Sequence, residues 1–302
     1  MVIKMKLAPI IVFAFNRPMG LKNLLNSLIH NELAEKSDLF VYVDGPRVDI
    51  IGEENKVLEV QNIVKEIQGF KNVKYNFSTI NKGLDKSVLQ GVTEVINQYG
   101  IAIVLEDDLV LSQNFLLFMN DGLNRYANQE KVFSICGYTN KIKVTSDYNF
   151  DSYFCTRSSS WGWATWKDRW NSVDWELKNW QKSSKIGAEF NKWGGSDLFR
   201  GICHVKDGCA DNWDIKFVFS QFLQKKLSLF PVISKVRNEG FDGTGTNCKN
   251  WSCFKYDFDN SNKQEFIYPV NIQLNTKLYK SAMSYNGLLI RIWSRLMYFI
   301  YQ

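Results

Sequence analysis

Three consecutive acids, Glu106, Asp107 and Asp108, sit in the run IAIVLEDDLVLS (101–112), which otherwise has the apolar character of a buried strand. An ionised carboxylate leaving such a strand needs a partner, because an unpaired buried charge is very costly. Carboxylate oxygens suit a hard divalent cation such as Mg²⁺ or Mn²⁺, and such ions are commonly shared with substrate phosphates. The triplet therefore points to a metal and a phosphorylated ligand, with a solvated strand end as the alternative. A second acidic segment, Asp211-Asn212-Trp213-Asp214, opens an amphipathic stretch over 215–223. One of its acids suits a helix N-terminus. The other is left for general-base work, with the adjacent indole restricting water and raising its proton affinity.

Six tryptophans fall between Trp161 and Trp180, and none precedes residue 160. Trp163, Trp166 and Trp170 recur at i, i+3 and i+7, a spacing that predicts a helical stripe packed into the core. Trp161 stands before that stripe, beside Gly162; its indole suits either the apolar face of a sugar ring or the core. The glycine-rich segment NEGFDGTGT (238–246) reads as a loop that closes over a ligand or as a surface turn.

The elements that must position these groups are legible upstream. Apolar runs over 9–15, 39–43, 73–77 and 101–105 alternate with helical stretches over 21–33, 53–68 and 84–98. Continuous rather than alternating apolar strands are covered on both faces, so the pattern predicts βαβ units and an α/β fold with a mainly parallel sheet flanked by helices. Ligands on such sheets bind beyond the carboxyl ends of the strands. Asn16 and Arg17, Asp44 and Gly45, Ser78 to Lys82, and the acidic triplet all fall there, which outlines a nucleotide site. Neither a G-x-G-x-x-G fingerprint nor a Walker-type phosphate loop is present, so a dinucleotide oxidoreductase and a P-loop NTPase are unsupported.

The chain has 302 residues, 45% of them hydrophobic, and a net charge of +6 spread without a long basic block. That favours anionic ligands over nucleic acid. Six cysteines without CxxC spacing and only two histidines fit a reduced, cytoplasmic chain better than a disulfide or zinc scaffold. The apolar start, MVIKMKLAPIIVFAF, has no convincing cleavage site and is read as leading into a first strand. The segment 288–301, LLIRIWSRLMYFIY, carries only Arg291 and Arg295 as charges, four apart on one helix face. It suits an interfacial helix at the inner face of the cell membrane, or a helix docked on protein.

These residues, in this order, resemble the GT-A glycosyltransferases, in particular bacterial capsule or lipopolysaccharide transferases akin to N-acetylglucosaminyltransferase I. The likeness covers roughly residues 8–255 and is most specific in EDDLVLSQNFLLFM. It implies a Rossmann-like GT-A sheet with a nucleotide-sugar-binding half (1–115), an acceptor-binding and catalytic half (116–255) and a tail (256–302). Glu106-Asp107-Asp108 would be a variant DXD motif, with Asp108 on a Mn²⁺ or Mg²⁺ ion, and Glu106 and Asp107 orienting metal waters and the donor. Arg17 would contact the nucleotide with help from Lys82, and Asp44 would read uracil. Trp161 and Trp213 would bind the acceptor, and Asp214 would be the catalytic base. The family's mobile loop has histidine where this chain has Asn247. The implied activity is inverting transfer from a nucleotide diphosphate sugar, a UDP sugar such as UDP-GlcNAc, to a hydroxyl of a saccharide acceptor. The preferred acceptor is lipid-linked, in surface polysaccharide biosynthesis. The competing readings are a nucleotidyltransferase, which would want glycines after the first strand, and a non-catalytic carbohydrate-binding protein.

Overall fold

The computed structural model describes residues 6–178, 180–241, 255–287, 290 and 293. The first half alternates strand and helix as its apolar periodicity predicts: β1 (Ile10–Ala14), α1 (Pro18–Ile29), β2 (Asp38–Val43), α2 (Glu53–Lys65), β3 (Asn72–Phe77), α3 (Leu84–Tyr99) and β4 (Ile101–Glu106). The second half holds β5 (Leu109–Leu111), α4 (Phe115–Arg125), β6 (Val132–Cys136), β7 (Ser152–Cys155), β8 (Trp163–Trp166), α5 (Lys167–Asn171), α6 (Ser184–Gly194), α7 (Leu198–Lys206), α8 (Trp213–Leu223), β9 (Leu227–Pro231), β10 (Val236–Asn238) and α9 (Thr276–Met283).

Eight strands form one sheet in the order β3-β2-β1-β4-β8-β6-β9-β7. The four from the first half are parallel, β8 runs antiparallel between β4 and β6, and β6 and β9 are again parallel. Both halves therefore share one continuous sheet. Chain order reverses at β1, which lies between β2 and β4; the crevice beyond their carboxyl ends is where open α/β sheets bind ligands.

Burial on both faces explains the unbroken apolar runs. In β1, Ile10, Val12 and Ala14 pack against α1 and α2 in one cluster, and Ile11 and Phe13 pack against α3 in the other. The outermost strand, β3, departs from the expectation: Tyr75 is 52% exposed, and the strand lies at the open sheet edge. Trp163 and Trp166 are also corrected, since they lie on a strand and not on a helix, with only Lys167–Asn171 helical beyond them. Three residues apart on a strand means opposite faces. Trp163 joins the cluster under α3 and α8, and Trp166 joins the one under α1 and α4. Their assignment to the core holds, with Trp163, Trp166 and Trp170 all under 5% exposed.

Candidate active site

A cavity of about 600 Å³ opens at the β1 switch point. Adjacency of β1, β2 and β4 brings Arg17, Asp44 and the acidic triplet to one wall, and the start of α8 brings Asp211 to Asp214 to the same space. Of the expected site residues, Arg17, Asp44, Lys82, Glu106, Asp107, Asp108, Trp161, Trp213 and Asp214 all line it.

The triplet is held as a charged unit. Arg17 spans two of its acids, with Nη2 2.8 Å from Asp107 Oδ1 and Nη1 3.2 Å from Asp108 Oδ2. Asp107 Oδ2 also accepts the Phe15 backbone N–H at 3.0 Å, which stitches the end of β1 to the end of β4. The turn after β10 closes over Asp108, whose backbone carbonyl accepts the Glu239 N–H at 2.8 Å. Gly240 lies so near that a Cβ there would collide with Asp108 Oδ2. Gly20 has the same role on the other side, since a Cβ would come within 2.6 Å of the Asp107 carbonyl oxygen.

One guanidinium does not balance three carboxylates. Burial, then the charges of Asp108 and Asp107, push the Glu106 carboxyl well above the usual range. Burial lifts Asp107 to about 6 against the pull of Arg17. Asp108 Oδ1 is buried without a hydrogen-bond partner among the described residues. An orphaned carboxylate oxygen beside excess negative charge fits a divalent cation. Among the described residues no three acids, cysteines or histidines are arranged to ligate an ion by themselves. Such an ion would take its remaining ligands from phosphate and water, as Mg²⁺ sites commonly do.

Asp44 lines the cavity and is also bonded to the backbone around it. Its Oδ1 accepts the backbone N–H groups of Gly45 and Lys82, both at 2.9 Å. Its Oδ2 accepts those of Lys82 at 3.2 Å and Gly83 at 2.9 Å. Three backbone donors, two of them from the loop before α3, share a carboxylate that has about four lone-pair sites. Asp44 thus ties β2 to that loop. The Lys82 ammonium lines the cavity and hydrogen-bonds Gln90 Oε1 at 3.1 Å.

On the opposite wall, the cap of α8 is Asn212 and not an acid: its Oδ1 accepts the backbone N–H groups of Asp214 at 3.1 Å and Ile215 at 3.3 Å. Burial raises the proton affinity of the Asp214 carboxyl; the nearby Arg157 charge lowers it and the Asp197 charge raises it again. That carboxyl itself takes hydrogen bonds from the Ile215 backbone N–H and the Asn212 side chain, and both lower its proton affinity. Trp213, which is 4% exposed and stacked on Trp163 at 4.9 Å, offers the cavity little surface. Trp161 is half-buried, packed edge-on against Tyr138 at 4.4 Å. The glycine-rich loop from 242 onward, Asn247 and nearly all of 288–302 lie outside the described residues.

Three groups escaped the sequence reading. Asp85, in the first turn of α3, lines the cavity, accepts the Trp213 backbone N–H at 2.8 Å through Oδ1, and buries Oδ2 without a partner among the described residues. Arg157 forks onto Asp197, with both contacts at 3.1 Å. Glu53, 2% exposed, holds Arg47 at the cavity lip. Each is a single charged residue in an unremarkable stretch, and only the fold gives it neighbours. Arg157, next to SSSWGWATW, had the nearest thing to a signal.

No protein-family model matches the chain, and no curated protein sequence matches it. Among solved structures, the mannosyltransferase PcManGT from Pyrobaculum calidifontis, in complex with GDP-Man and Mn²⁺, is 10% identical with a TM-score of 0.36, over 54% of this chain and 48% of that one. Residues 1–349 of S. aureus TarS are 11% identical with a TM-score of 0.40, over 77% of this chain and 60% of that one. The same TarS region in complex with UDP is 14% identical with a TM-score of 0.30, over 47% of this chain and 37% of that one. This chain spans less than two thirds of each of these chains, and likeness at this level leaves the functional reading to the cavity's own residues.

Proposed function

We propose that this chain is an inverting, metal-dependent glycosyltransferase that moves a sugar from a nucleotide diphosphate sugar to an acceptor hydroxyl. The observation that carries the reading is that the cavity has two unlike acidic walls. One holds the Arg17-bridged triplet with the orphaned Asp108 Oδ1, and the other holds the carboxyl of Asp214, whose proton affinity its surroundings raise. The first suits a diphosphate with its cation, and the second suits a proton acceptor.

Asp108 would hold the ion, with Glu106 and Asp107 orienting its waters and the donor; when bound, it neutralises charge on the diphosphate. Arg17 contributes a fixed positive charge at the same place, preorganised by its two carboxylate contacts. Asp214 takes the proton of the acceptor hydroxyl as that oxygen bonds to the anomeric carbon. The carbon–oxygen bond to the diphosphate breaks, and its electron pair leaves with the nucleoside diphosphate. One base candidate suits a single displacement, hence inversion. Trp161 supplies an aromatic surface for a saccharide acceptor. The resemblance of EDDLVLSQNFLLFM extends the reading to UDP sugars and to surface polysaccharides, and the basic aromatic segment 288–301 supports a lipid-linked acceptor at the membrane face. None of the described helices is long and apolar enough to cross a membrane.

The test is donor turnover across UDP, GDP and dTDP sugars, with Mn²⁺ or with EDTA, for the wild type and Asp108→Ala. Turnover of a donor that EDTA and the substitution both abolish is the expected result. Saccharide binding that survives both, without nucleotide binding, would favour a non-catalytic carbohydrate-binding protein.

A further inference from the structure

The nucleotide end of the cavity has a second built device whose parts the mechanism above does not use. Glu53, at the start of α2, is 2% exposed, yet its carboxylate collects four kinds of donor. Arg47 gives it the backbone N–H at 2.7 Å, the Nε–H at 3.1 and 3.0 Å to the two oxygens, and Nη2. Asn16 adds its amide at 2.8 Å. These bonds hold the Glu53 carboxyl down at about 2, ionised throughout the working range.

The result is a guanidinium fixed in its plane. The Arg47 carbon Cζ lies 5.5 Å from the centroid of Phe15, so an aromatic ring backs it. Nε and Nη2 are spent on Glu53, whereas Nη1 has no partner among the described residues. The side chain is 43% exposed, and it lines the cavity together with Phe15 and Asn16. A mobile surface arginine would lose substantial rotamer entropy on binding; this one has already lost it.

We propose that Arg47, held by Glu53 and backed by Phe15, is a nucleobase-recognition residue, donating from Nη1 to a ring carbonyl oxygen of the base. This rests on the nucleotide-sugar reading of the same cavity. A planar, weakly hydrated guanidinium both stacks on ring systems and donates to carbonyl oxygens. Uracil and guanine present such oxygens and adenine presents none, so the device selects against adenine nucleotides.

The experiment measures binding of UDP, GDP, ADP and inorganic pyrophosphate to the full chain by calorimetry, with Mn²⁺, for the wild type, Arg47→Ala and Arg47→Gln. Glutamine keeps amide donors for Glu53 while removing Nη1, which guards against an unpaired buried carboxylate unfolding the loop. The wild type should prefer UDP or GDP over ADP. Both variants should bind that nucleotide about tenfold or more weakly, the scale of one charge-assisted hydrogen bond, with its advantage over ADP gone and pyrophosphate binding unchanged. Equal losses for pyrophosphate and nucleotide would make Arg47 a phosphate ligand and overturn the proposal, as would unchanged nucleotide binding. A wild type that binds no nucleotide overturns the glycosyltransferase reading and this one together; nucleotide binding indifferent to Arg47 overturns only this one.

Discussion

Asp214 stands between opposed influences: burial and Asp197 raise its proton affinity, and Arg157 lowers it. A base works only when deprotonated, so activity should fall as pH falls through the carboxyl's own pKa. Because the net direction is upward from the ordinary 3.8, the acid limb of kcat should lie above the usual aspartate range. Arg157→Gln removes the largest of the influences that lower it and frees Asp197 from its ion pair, so the limb should move to still higher pH, as a pH–kcat profile will show. An unmoved limb would mean that a group other than Asp214 sets it. At this scale the acids announced themselves by type, as a triplet ending an apolar run and as two acids flanking a tryptophan, whereas the capping role of Asn212 did not. What Asp44 does with its carboxylate was not legible, because its partners at Lys82 and Gly83 lie 38 and 39 residues away and are backbone groups that any sequence carries.

Between elements, Asp85 joins α3 to α8, the two helices whose first turns line the cavity. Its Oδ1 accepts the backbone N–H of the first residue of α8, one position before Asp214. Asp85→Leu should leave that N–H without its partner, costing about 1–3 kcal/mol locally. The Asn212 cap holds the helix itself. The expected outcome is therefore a larger loss in kcat than in nucleotide affinity, with Tm lowered by a few degrees at most; equal losses in both would make Asp85 a donor ligand instead. The alternation of β1 to β4 with α1 to α3 was readable because period and length agree over every segment. β8 was not, since tryptophans at three-residue spacing fit a helix stripe and also a short strand buried on both faces; pairing of Ile101 to Val104 with Trp163 to Trp166 decides for the strand. β3 reads as apolar from Val73 and Phe77, but nothing in those residues says that it lies at the sheet's edge.

Across the whole molecule, the proposed reaction needs one continuous sheet to set the acidic triplet against the wall that carries Asp214. The parallel half was legible from its unbroken apolar runs, and the crevice at the β1 switch point follows from parallel topology alone. The second half was not, because antiparallel insertion of β8 between β4 and β6 depends on long-range pairing rather than on local pattern. Yet that insertion seats Trp163 under Trp213 and so fixes the start of α8 beside the triplet. The most direct measurement is turnover of the preferred donor, alongside nucleotide binding, for Asp214→Asn in the presence of Mn²⁺ and an accepted saccharide. Nucleotide affinity should equal that of the wild type and turnover should fall roughly 10²- to 10⁴-fold, the usual contribution of a general base. Turnover at the wild-type rate with binding intact would contradict that role for Asp214.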